Sequence, residues 1–216
     1  MCGASGYVGN MKMRALIWFS DDHGETWVQS NTSDAFMGMG ECQLVELSNG
    51  TVVINMRNEN KQHRRAISMS LDGGASFGNI WYDPALPDPT CSAGLIDYNG
   101  TLYFSNDPTT SKRKNMTLKK SINNGVSWEV MVQLTEGPSG YSVVVPVDVN
   151  HVGVVYETGI KSPYESIVFA TVSLTDPAVH QERPVHTTVQ QDVSKNDIIQ
   201  DSISNHNTFD HIVRPV

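Results

Sequence analysis

Ser70-Leu71-Asp72-Gly73-Gly74-Ala75-Ser76-Phe77 is one of three copies of an eight-residue pattern, S-x-D/N-x-G-x-S/T-W/F. The first copy is Ser20-Asp21-Asp22-His23-Gly24-Glu25-Thr26-Trp27 and the third is Ser121-Ile122-Asn123-Asn124-Gly125-Val126-Ser127-Trp128, so the leading serines are 50 and 51 residues apart. Within each box the Asp or Asn side chain can accept hydrogen bonds from the amides that follow. The Gly two residues later takes a backbone conformation that a Cβ resists. The closing aromatic is expected to pack between strands. These boxes read as turn locks, not as catalytic groups.

A second element recurs in step with the first. Asn49-Gly50-Thr51-Val52, Asn99-Gly100-Thr101-Leu102 and, more weakly, Asn150-His151-Val152-Gly153 are again 50 and 51 residues apart. Asn-Gly between β-branched runs, as in QLVELSNGTVVINM and GLIDYNGTLYFSN, predicts a tight hairpin in which both central residues take positive φ. Two motifs in phase at a period near 50 predict an all-β chain built of propeller blades. The 216 residues hold about three blades and part of a fourth. Residues 1–175 are assigned to this partial propeller. Residues 176–216 form a polar extension without a box, in which Val189, Val193, Ile199 and Ile203 suggest a short amphipathic helix or disorder. An open ring would leave two apolar blade faces uncovered, so an N-terminal half is expected to be missing.

Composition narrows the function classes. A net charge of -8 with only 15 Lys plus Arg argues against a nucleic-acid partner, which needs clustered positive charge. No apolar run approaches the roughly 18 residues that cross a bilayer, and MCGASGYVGNMK lacks the apolar stretch of a signal peptide. Cys2, Cys42 and Cys91 are too few and too widely spaced for a disulfide framework or a zinc site, and are expected to be buried or free thiols. No spacing offers a metal-ligand set. Four sequons, at Asn31, Asn49, Asn99 and Asn115, permit glycosylation in a secretory setting.

The segments ECQLVELSNGTVVINMRNEN, LPDPTCSAGLI, RKNMTLKKSINNGVSW, EGPSGYS and VVYETG occur in order between residues 16 and 175, interleaved with the boxes. Together they resemble the C-terminal part of animal lysosomal sialidase (neuraminidase). The resemblance implies a six-bladed β-propeller with Asp boxes that removes terminal sialic acid from glycoproteins, oligosaccharides and gangliosides with retention of configuration. It also implies a lysosomal setting, no cofactor, and a protective protein as a candidate partner.

Sialic acid carries a carboxylate at its anomeric carbon, and planar guanidinium groups bind carboxylates in a bidentate way that lysine cannot reproduce. Arg57 in INMRNEN resembles the second of the family's three carboxylate-binding arginines, and Arg113 in KRKNMTL resembles the third. The substrate carboxylate would repel a carboxylate nucleophile, and sialidases use tyrosine instead. Tyr141 in GPSGYS resembles that nucleophile. A phenol of pKa about 10 needs a base, and Glu41 in GECQ resembles it. Glu157 in VVYETG resembles an acidic residue that orients the first arginine.

That first arginine and the aspartate acid/base find no matching motif. Arg-Ile-Pro is absent, and Arg14 in KMRALIWFS lacks its context. General acid catalysis contributes roughly 10²–10⁴-fold, so the chain alone is expected to show little or no hydrolysis. The bare residues also fit a non-catalytic propeller that binds glycans or proteins. The joint occurrence of Glu41, Arg57, Arg113 and Tyr141 in these contexts separates the two readings.

Overall fold

The computed structural model describes residues 1–8, 12–33, 36–175 and 179–181. They form four antiparallel sheets, each with its strands in sequence order. The first holds β1 (Cys2–Val8), β2 (Lys12–Phe19) and β3 (Val28–Gln29). The second holds β4 (Met39–Glu46), β5 (Val52–Asn58), β6 (Arg64–Ser70) and β7 (Trp81–Pro87). The third holds β8 (Gly94–Tyr98), β9 (Thr101–Asn106), β10 (Thr117–Ser121) and β11 (Glu129–Gln133). The fourth holds β12 (Ser139–Asp148), β13 (His151–Thr158), β14 (Ser166–Ser173) and β15 (Val179–Gln181).

Alternation along the strands builds the core between successive sheets, because neighbouring side chains on a strand point to opposite faces. Val52, Ile54 and Met56 of β5 pack with Ala15 and Ile17 of the first sheet, while Val53 between them packs with Leu95, Leu102 and Phe104 of the third. Val152, Val154 and Tyr156 of β13 repeat the arrangement against Met116 and Leu118. On the other face of the fourth sheet, Val143, Val147 and Ile167 are exposed.

Each box closes the turn between the third and fourth strands of a four-stranded sheet, and between β2 and β3 in the first. Asp22, Asp72 and Asn123 each accept the amide of the residue four positions on at 2.9 Å, and Ser20, Ser70 and Ser121 accept the Gly amide at 2.7–2.9 Å. Gly24, Gly74 and Gly125 all have positive φ, from 85° to 94°. The closing aromatics do not behave alike. Phe77 is buried edge-on to Phe36, and Trp128 packs on Phe104. Trp27, in contrast, is 47% exposed. Phe77 also clusters with Ala15 and Ile17 of the first sheet, and Trp128 Nε1 donates to Asp83 of the second at 3.2 Å, whereas the first sheet has no preceding sheet among the described residues.

The Asn-Gly hairpins also differ. Asn99 and Gly100 both have positive φ and close a two-residue loop between paired Tyr98 and Thr101. At Asn49-Gly50 only Gly50 does, because Leu47 bonds to Thr51 across three residues and the extra position spares Asn49 a positive φ. The boundary expected after residue 175 falls inside the fourth sheet, whose last strand is β15. The helix suggested by Val189, Val193, Ile199 and Ile203 lies outside the described residues. Cys42 and Cys91 are buried thiols outside any disulfide.

Candidate active site

Two β-bulges at one end of the sheets create the site. In β4 the register with β5 shifts between Met39 and Cys42, and in β12 the register with β13 shifts between Ser139 and Ser142. Each bulge holds a Gly followed by a functional side chain: Gly40-Glu41 and Gly140-Tyr141. A bulge adds one residue to one strand and re-aims its side chain. Here it turns Glu41 and Tyr141 toward each other across the ends of the sheets.

The Tyr141 hydroxyl donates to Glu41 Oε1 at 2.5 Å and accepts from Arg57 Nη1 at 3.1 Å. The same Arg57 nitrogen lies 3.0 Å from Glu41 Oε2, which closes a triangle of phenol, carboxylate and guanidinium. Glu59 stands 2.7 Å from Arg57 Nε, although that N–H makes no hydrogen bond. Burial opposes ionisation of Glu41, but the Tyr141 hydroxyl and the Arg57 charge outweigh it and hold the carboxyl below its usual range. Burial, then the bond to Glu41 and its charge, push the Tyr141 phenol above its ordinary value. The pair thus rests as phenol and carboxylate, the protonation state from which a proton can move from oxygen to oxygen as the phenol attacks.

Arg113 lies beside them. Its guanidinium carbon is 5.6 Å from the centre of the Tyr141 ring, Nη2 donates to the Thr90 carbonyl at 2.8 Å, and Nη1 donates to the Tyr164 hydroxyl at 3.2 Å. The Thr90 carbonyl is aimed by a strained backbone, since this β-branched residue has φ of +61°. Asp88 holds the turn. Its carboxylate accepts the Cys91 amide at 3.1 Å and the Asn58 amide at 2.9 Å, and pairs with the buried Arg65 at 3.4 Å. Glu157 does not meet a further arginine among the described residues. It accepts the Tyr141 amide at 3.0 Å, and so fixes the backbone of the bulge.

All five residues singled out from the sequence therefore gather at one end of the sheets. Asp107, Ser139, Thr90 and Tyr164 belong to the same cluster and were not singled out. Asp107 is 1% exposed, and burial raises its carboxyl to about 7 against the bond from Ser139 and the Arg113 charge. Burial likewise pushes the Cys91 thiol up to about 12, which leaves it unreactive under ordinary conditions. Among the described residues no group of three His, Cys, Asp or Glu side chains could hold a metal ion.

A family model described as the BNR repeat-like domain matches residues 1–156. The chain belongs to this family. The relatives of this BNR-repeat chain include a sialidase of Micromonospora viridifaciens, 32% identical over an alignment of 167 residues that covers 73% of this chain and 26% of the relative. A Bacteroides fragilis sialidase is 32% identical over an alignment of 178 residues that covers 75% of this chain and 31% of the relative. Among solved structures, a Hadza microbial sialidase superposes with a TM-score of 0.67 at 30% identity, over 79% of this chain and 34% of that one. The BNR-repeat chain thus spans a quarter to a third of the length of these sialidases. The match confirms an all-β chain with sialidase β-propeller neighbours.

Proposed function

We propose that this chain carries the nucleophile-bearing part of a retaining exo-α-sialidase, a six-bladed propeller acting on terminal sialic acid of glycoproteins, oligosaccharides and gangliosides. The observation that carries this reading is the Glu41–Tyr141–Arg57 triangle, found in a chain whose curated relatives are sialidases. Arg57 and Arg113 bind the substrate carboxylate. The Tyr141 oxygen attacks the anomeric carbon as its proton passes to Glu41, the bond to the aglycone oxygen breaks, and a sialosyl–tyrosine intermediate forms that water then cleaves. The residues assigned here include no acid to protonate the departing oxygen. The animal lysosomal type is part of the proposal and rests on the ordered motifs, and so are the lysosomal setting and a protective partner protein.

The missing acid dictates the test. A sialosyl fluoride with a second fluorine beside the anomeric carbon has a leaving group that departs without a proton, so it needs only the nucleophile, its base and the anchors. Incubation with the 216-residue chain should add one fluorosialosyl group to the peptide containing Tyr141, seen by mass spectrometry, and none in Tyr141→Phe. A chain that stays unmodified, or is modified elsewhere, contradicts the assignment and favours a propeller that only binds.

A further inference from the structure

The repeat places Arg57, Asp107 and Glu157 at the same position of three successive sheets, 50 residues apart. The buried residues of β5, β9 and β13 keep this register, as Val52, Leu102 and Val152 show, followed by Ile54, Phe104 and Val154. Two of the three positions already act on the Tyr141 bulge. Arg57 donates to the phenol oxygen and Glu157 accepts the Tyr141 amide.

The third reaches the same bulge through Ser139. The Ser139 hydroxyl donates to Asp107 Oδ1 and accepts the Met116 amide at 3.1 Å, while the Ser139 amide donates to the Arg113 carbonyl at 3.1 Å. Ser139 is fully buried and is the last residue in register with β13 before the bulge begins. Asp107 Oδ2 is buried without a hydrogen-bond partner, so the carboxyl is kept inside the protein with only the bond from Ser139 to its other oxygen. A buried polar group that is only half satisfied is costly and needs a reason.

We propose that Asp107 is a positioning residue for Tyr141: by anchoring Ser139 it fixes the start of the bulge and ties it to the strand entry that carries Arg113. It acts through a hydrogen bond to the backbone frame and never touches substrate. This inference rests on the reading of Tyr141 as the nucleophile, but its geometry can be tested apart from that chemistry.

The experiment compares Asp107→Ala, Asp107→Asn, Ser139→Ala and the double alanine variant in the full chain. Two readouts are used: ultraviolet titration of the Tyr141 phenol, assigned by difference against Tyr141→Phe, and the rate of labelling by the difluorosialosyl reagent. Losing the anchor should loosen the bond to Glu41 and bring the Tyr141 phenol down toward 10, with labelling about tenfold slower, as for one lost hydrogen bond to a charged group. Asp107→Asn keeps an acceptor for Ser139 and should stay within about twofold of the parent, and the double variant should be no worse than either single one.

An unchanged phenol titration in Asp107→Ala overturns the proposal. So does a loss in Asp107→Asn equal to that in Asp107→Ala, or additive effects of the two alanine substitutions. If Asp107→Ala does not fold, Ser139→Ala decides in its place, and an unchanged phenol titration there is equally fatal. If the parent is never labelled, the sialidase reading fails while the titration still judges the positioning role.

Discussion

Glu41 and Tyr141 are 100 positions apart in the chain and 2.5 Å apart in space, each delivered by a bulge that opens with glycine. The contact has a testable consequence for proton affinity. After burial, the bond and charge of Glu41 are what raise the Tyr141 phenol, while Arg57 and Arg113 lower it. Glu41→Gln removes the carboxylate charge and leaves both cations. The Tyr141 titration midpoint should fall in Glu41→Gln, and labelling by the sialosyl fluoride should nevertheless slow, because the more acidic phenol has lost its base. A midpoint that rises or stays put would mean that Glu41 does not govern this tyrosine.

The fold was legible in the sequence because turn chemistry repeats: Ser, Asp or Asn, and Gly in the boxes are required by backbone geometry, so their spacing marks three of the four sheets, and the fourth carries no box. The site was only partly so. A bulge is a property of pairing between two strands, and its one local mark in Met39-Gly40-Glu41 is the lone Gly40, which does not say where Glu41 is aimed. Thr90 contributes a carbonyl, and backbone atoms leave no trace in residue type. Tyr164 depends on the path of the loop between β13 and β14. Asp107 is different, since the 50-residue register that links Arg57 to Glu157 passes through it.

The pH dependence of stability should show two opposing limbs. Side-chain and backbone bonds from Thr26 and Ser76 hold Asp22 and Asp72 at about 2, so the stability they add is complete above their ordinary value of 3.8 and is lost as pH falls toward 2. Asp107 has the reverse sign. Its carboxyl is raised to about 7 in the folded chain, so the unfolded chain releases this proton first. Stability therefore falls as pH rises from about 4 to 7, by at most about 1.4 kcal/mol per unit, and levels off above. In Asp107→Asn that decline should vanish, while the acid limb stays. Denaturant midpoints measured from pH 2 to 8 in both proteins check this, and an identical slope above pH 4 would refute it.

The third box offers an internal comparison. Asn123 donates from Nδ2 to the Ser127 hydroxyl at 2.9 Å, where Asp72 accepts the Ser76 hydroxyl at 2.6 Å. Bonds to a carboxylate are stronger than those to an amide. Asn123→Asp should therefore raise Tm at neutral pH by about 2 °C, and the gain should disappear on acidification toward pH 2, as the other two boxes titrate. A lower Tm at pH 7 would show that the third turn tolerates no added charge.

Arg57 bonds to both the phenol and its base, and its replacement by lysine separates charge from shape. One guanidinium nitrogen already serves Glu41 and Tyr141, so a bound carboxylate must be met by the remaining face of the same planar group. An ammonium supplies a compact charge but no fork, and cannot span phenol, base and ligand at once. Arg57→Lys should weaken binding of an unsaturated sialic acid analogue by about tenfold or more, while its methyl ester, which lacks the anionic carboxylate, should bind both proteins alike and weakly. The lysine should also let the Tyr141 phenol titrate higher, since the cation that lowers it is less well placed. Calorimetry with the acid and the ester, together with the ultraviolet titration, tests both statements. Equal affinity of the two proteins for the acid would remove Arg57 from the carboxylate site.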